Sequence, residues 1–153
     1  YEVSETFTIG PGLGFLTEIE DRPMLFPFLL IEWQIDPDWS LSTGRGLAAT
    51  RGPGLVLSYR LADQWRIGLG SRWERYRFRL DDEGPAPDGV VEESSLPVYL
   101  GLTWKPTDRT SGSLLAGVNF SGRMALYDER GDRIQREDYD PAPFFGLVFT
   151  VGF

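Results

Sequence analysis

Arginines and carboxylates are the ionised groups this chain has to work with. It contains no histidine and no cysteine, and Lys105 is its sole lysine. The commonest general base, the commonest metal ligand and the centre of every Ser-His-acid triad are therefore missing, as are disulfides and thiol nucleophiles. Lys105 stands in the turn sequence "KPTDRT", a poor place for the base of a Ser-Lys pair. These exclusions predict a protein that is not an enzyme and carries no cofactor. Acidic groups cluster at Asp81, Asp82 and Glu83, at Glu92 and Glu93, and at Asp128, Glu129 and Asp132. None follows the ligand spacing of a calcium loop, so no metal site is expected.

Two sets of charges have informative spacing. In "RWERYRFRL" Arg75, Arg77 and Arg79 recur at every second position. On a strand, that period sets three guanidinium groups on one face, where their planar forks could make paired charge-assisted bonds to phosphate or carboxylate. The second set is Glu32, Arg60, Arg66, Arg72, Glu74 and Arg123, each on the opposite parity to the bulky apolar residues around it. What either set can do depends on the elements that carry it.

Apolar residues recur with period two along most of the chain, and 18 glycines and 11 prolines leave little room for long helices. The fold class is all-β. Eight segments carry the alternation, at 6–17, 24–35, 39–48, 54–62, 65–80, 94–105, 110–127 and 142–153, within a single domain of residues 1–153. The second, fourth and sixth connections (36–39, 61–65, 105–110) are tight, whereas the first, third, fifth and seventh (18–23, 49–54, 80–94, 127–140) are long. Strict alternation of short and long ends is the mark of an up-and-down antiparallel meander.

The two faces of each strand differ in kind. Leu55, Leu57, Tyr59 and Leu61 oppose Gly54, Val56, Ser58 and Arg60; Trp65, Ile67, Leu69 and Trp73 oppose Arg66, Gly68, Gly70, Arg72 and Glu74. Glycine weakens a strand unless space is short, and crowding at a narrow barrel axis supplies that reason. The glycines and charges then point inward and the bulky apolar residues outward, toward lipid. Four of the five tryptophans, Trp33, Trp39, Trp65 and Trp104, lie at or within three residues of a tight turn, as an interfacial girdle would place them. No apolar run reaches the roughly 18 residues of a membrane helix.

This pattern, with the ending "PFFGLVFTVGF", resembles the small eight-stranded outer-membrane β-barrel proteins of Gram-negative bacteria. Members of that family commonly close on Phe preceded by alternate hydrophobic residues, and Phe145, Leu147, Phe149, Val151 and Phe153 match position by position. The resemblance implies an eight-stranded antiparallel up-and-down transmembrane β-barrel, monomeric and in the bacterial outer membrane. It also implies that the closing strand is read by the barrel-assembly machinery. The expected role is structural, envelope-stabilising or surface-interacting, with outer-membrane lipid as partner. If the tight turns are periplasmic, Arg75, Arg77 and Arg79 reach the outer-leaflet headgroups, where lipopolysaccharide presents phosphates.

The net charge of −8 argues against nucleic acid as a partner. Eight strands leave an interior only wide enough for side chains, so the inward charges are expected to form a salt-bridged plug; a narrow passive channel is the first rival. A soluble lipocalin-like barrel with a small ligand in an apolar cavity is the second. Pro11, between Gly10 and Gly12, predicts a bulge in the first strand, and Arg45 predicts another near Gly44 or Gly46. The opening "YEVSETFTIG" has no charged n-region followed by an apolar h-region, so any signal peptide is expected to lie outside this sequence.

Overall fold

The computed structural model describes residues 2–16, 24–43, 54–83 and 86–152. They form one antiparallel sheet with no helix among them. Its strands are β1 (Glu2–Ser4), β2 (Phe7–Leu16), β3 (Met24–Gln34), β4 (Trp39–Ser42), β5 (Gly54–Ala62), β6 (Trp65–Arg72), β7 (Glu74–Arg79), β8 (Val90–Thr107), β9 (Thr110–Tyr127), β10 (Arg133–Tyr139) and β11 (Ala142–Val151). Neighbours in sequence are neighbours in the sheet, in the order β1-β2-β3-β4-β5-β6-β8-β9-β10, with β7 also on β8 and β11 also on β9. The meander is as expected, but eleven strands replace eight.

Two of the extra strands have a local cause. The expected strand 65–80 divides at Trp73 into β6 and β7, both paired with β8. Register is unchanged across the break, since Ser71 faces Val98 and Glu74 faces Ser95. Between them on β8 lies Pro97, which has no N–H to give to the ladder. In the same way β10 and β11 pair with the upper and lower parts of β9.

The expected long connections at 80–94 and 127–140 are partly strand. β8 already starts at Val90, and β10 occupies Arg133–Tyr139. "RIQREDY" has no apolar period, yet a strand that stands clear of an apolar face needs none. Its partner β9 supplies the hydrogen bonds. The hairpin tip is closed by the Asp128 carboxylate, which accepts from the N–H groups of Arg130 at 2.9 Å and Asp132 at 2.8 Å. Gly131 has φ 83°, a left-handed turn position that favours glycine.

Pro11 makes no bulge. The β2–β3 ladder runs without a break through Gly10↔Leu30, Pro11↔Leu29 and Gly12↔Phe28. Among the described residues, only β1 pairs with the other edge of β2, at Phe7 and Thr8, so the N–H that Pro11 lacks is not demanded there. Arg45, with the expected bulge at Gly44 or Gly46, lies outside the described residues, as does Phe153.

Among the described residues no ladder joins β11 to β1 or β2, so the sheet is open along that seam. It is nevertheless strongly curled. Ser42 of β4 and Val148 and Thr150 of β11 line the same cavity of ≈ 530 Å³ on the concave side.

Candidate functional site

Cross-strand partners project to the same face, so the register alone sorts the residues. Thr103 on β8 faces Ser113 on β9, and their hydroxyls bond at 2.9 Å. Gly68 faces Gly101, and Gly70 faces Tyr99. These residues, with Ser42, Ser58 and Arg66, line the cavity or border it on the concave face. The glycines are spatial necessities at two points. A Cβ on Gly70 would come within 2.5 Å of the Tyr99 ring, and one on Gly117 within 2.4 Å of the Val98 carbonyl oxygen.

The convex face is apolar and uncovered. Phe145 is 82% exposed, Leu147 78% and Phe149 68%, and Leu55, Leu69, Leu100 and Leu114 continue the band across β5, β6, β8 and β9. Among the described residues the buried apolar set is only Ala86, Val90, Tyr99 and Ala125, apart from Pro97. At the tight-turn end the band is bordered by aromatic pairs on adjacent strands. Phe7 packs on Trp33 at 5.7 Å between ring centres, Trp39 on Tyr59 at 4.8 Å, and Trp65 on Trp104 at 6.3 Å. The four tryptophans are 38% to 41% exposed, each with one side against the sheet and one turned out. The turns that set them there are short and polar. Asp36 accepts from the N–H groups of Asp38 and Trp39 at 2.8 Å each, an Asx turn that ends on the tryptophan.

The six expected interior charges do not all share the concave face. Arg72 and the buried Glu74 form an ion pair through Nε and Oε1. Arg60 and Arg66 stand directly opposite one another on β5 and β6. Glu32 lies in the row Thr8, Glu32, Ser42, Val56, with its Oε1 buried. Arg123 belongs elsewhere. Ser121 has φ 51°, and the β8–β9 register slips between Ser94 and Leu96, so parity on β9 reverses above that bulge. Arg123 therefore shares a row with Ser94 and Arg75 on the convex side and pairs with Asp138 at 2.8 Å. Its guanidinium, by hydrogen bond first, holds the exposed Asp138 carboxyl below the usual carboxylate range.

Arg75, Arg77 and Arg79 lie on one face of β7, above the apolar band. The first two converge on Glu92, with Arg75 Nη2 at 2.5 Å and Arg77 Nε at 3.2 Å from the same oxygen. Arg77 also lies 5.6 Å over the Tyr127 ring. The acid they share is thus Glu92. Glu93, on the other face, accepts a hydrogen bond from the Tyr139 hydroxyl at 2.8 Å. Burial first, and then that bond, push the Tyr139 phenol up.

Tyr99 was not singled out by sequence reasoning. It is 4% exposed on the concave face, and its hydroxyl has no hydrogen-bond partner among the described residues. The signal was legible: a lone aromatic among the small residues of the inward set, opposite Gly70. Phe145, Leu147, Phe149 and Val151, the residues expected to form an assembly signal, lie on the convex face of β11. No family model, curated protein or solved structure matches the chain.

Proposed function

We propose that this chain is a non-enzymatic outer-membrane β-barrel protein with a structural or surface-interacting role, monomeric, with membrane lipid as its principal partner. The observation that carries the reading is the inverted sheet. A continuous apolar band covers the convex face and is bordered by half-exposed tryptophans, while glycines, hydroxyls and charges occupy the concave face. A soluble barrel around a small apolar ligand needs the opposite arrangement. Strand lengths support the reading too, since β2, β3, β5 and β11 have 10, 11, 9 and 10 residues, and about 9–11 residues of tilted strand cross a bilayer.

In this reading eight rails, namely β2, β3, β4, β5, β6 continued by β7, β8, β9, and β10 continued by β11, close into a barrel, because an open sheet edge in lipid leaves backbone groups with no partner. The face of β7 that carries Arg75, Arg77 and Arg79, with Arg123 in the same row as Arg75, stands at headgroup level, within reach of lipopolysaccharide phosphates. The barrel-assembly machinery is the expected partner in biogenesis.

The test is reconstitution with lipids brominated at known depths. Fluorescence of Trp33, Trp39, Trp65 and Trp104 is expected to be quenched most by bromine near the headgroups. A protein that stays dispersed and folded without detergent, with tryptophans blind to brominated lipid, would overturn the proposal. Lipopolysaccharide contact has its own readout: replacing Arg75, Arg77 and Arg79 by Gln should lower the lipopolysaccharide retained on purification, as weighed by mass spectrometry.

A further inference from the structure

The lining of the cavity on the concave face carries an unbalanced charge, with Glu32 the neighbouring carboxylate in the row of Ser42 and Val56. Arg66 and Arg72 contribute to its lining, and none of its described lining residues is a carboxylate. In a chain of net charge −8 this local excess of cation stands out. Arg72 is engaged by Glu74, which leaves Arg66 as the cation available to the chamber. Directly across from it stands Arg60, and among the described residues neither forms an ion pair. Like charges facing one another across a ladder destabilise it. An anion held between or beside them reverses the sign of that interaction.

A second observation is independent of the arginines. Tyr99 is almost wholly buried and lines this same cavity, yet its hydroxyl has no hydrogen-bond partner among the described residues. Its ring lies over Gly70, where the absence of a side chain makes room for it. A buried hydroxyl without a partner is costly and rare unless something outside the protein completes it. Around it the lining is hydroxylic, with Ser42, Ser58 and the bonded pair Thr103 and Ser113. Such groups donate to an oxyanion while the guanidinium supplies charge and a planar fork.

We propose that this chamber is a binding site for a small oxyanion drawn from the aqueous phase, phosphate in the simplest case, with Arg66 as its charged anchor, Arg60 supporting it and the Tyr99 hydroxyl as a donor. The volume of ≈ 530 Å³ admits such an ion with its water or a small phosphorylated or carboxylated solute. Lipid is not the source, because the apolar band lies on the opposite face of the sheet. The inference does not require the membrane reading, since a soluble barrel of this geometry would hold the same site.

The test is a titration of the folded full chain in zwitterionic micelles with inorganic phosphate, exchanged for chloride at constant ionic strength. The readouts are NMR signals of the arginine Nε–H groups and of a labelled Tyr99 ring. Saturable shifts are expected at Arg66 and Tyr99 and not at Arg130, which stands at the hairpin tip. Arg66→Gln should weaken phosphate binding about tenfold or more, as loss of a charge-assisted contact requires. Tyr99→Phe keeps the ring over Gly70 and should weaken it a few-fold, which reads the hydroxyl without unsettling the fold. The proposal falls if no shift saturates, if Arg130 responds as Arg66 does, or if both variants bind phosphate as the parent does.

Discussion

Glu74 is the residue on which the upper interior turns. It is buried, and its carboxylate is paired with Arg72, so truncating it removes one partner of a buried pair. Glu74→Ala is expected to lower the unfolding free energy by about 3 kcal/mol, read as a reduced urea midpoint in micelles with an unchanged slope. Asp138 offers a contrasting case at the surface. Its carboxyl titrates below the usual range because Arg123 donates to it. Folding thus gains from this group fully above the usual Asp range, and the gain is lost as pH falls through the lowered folded value. Carboxyl NMR should find the Asp138 midpoint below that of a free aspartate, and Arg123→Gln should return it. Which charges stand in apolar strands was plain from parity alone. Their partners were not, because Arg77 and Glu92 meet across a hairpin whose register depends on how residues 80–89 fold back.

The strands show where a period-two reading succeeds and where it fails. It placed Val56, Ser58, Arg66, Gly68 and Arg72 with the inward set, and they line the cavity. It failed at Arg123, because a bulge at Ser121, whose backbone is left-handed, reverses parity. The neighbouring Gly122 is the one local hint of the bulge. It failed again at β10, where the sequence looks like a loop because a strand standing above an apolar band has no apolar face to display. The Ser121 bulge can be tested directly. Left-handed geometry costs a β-branched residue most, so Ser121→Val should destabilise by about 1–2 kcal/mol, whereas Ser121→Gly should be neutral or mildly stabilising. If Ser121→Val unfolds at the parent's urea midpoint, the bulge does not exist in solution and Arg123 belongs inside after all.

At the scale of the molecule, the inversion of the sheet follows from composition that any reader of the chain can see, since glycine and hydroxyl alternate with leucine and tryptophan on strand after strand. Closure is different in kind. It depends on the pairing of the first rail with the last, a contact between residues over a hundred positions apart that no local period encodes, and among the described residues that seam is open. The lipid reading makes a definite demand there. Alternate backbone amides of β11 bond to β9, and the others point to the free edge. In water an edge of that kind is solvated and exchanges fast. In a bilayer or micelle it cannot be solvated, so the second set must find carbonyl partners on the first rail, and the chain closes. Hydrogen exchange resolved by residue over 144–151 in lipid nanodiscs separates the two. Both sets of amides should be protected alike if the barrel closes, and protection that alternates residue by residue would show an open edge and defeat the barrel, whatever the tryptophans report.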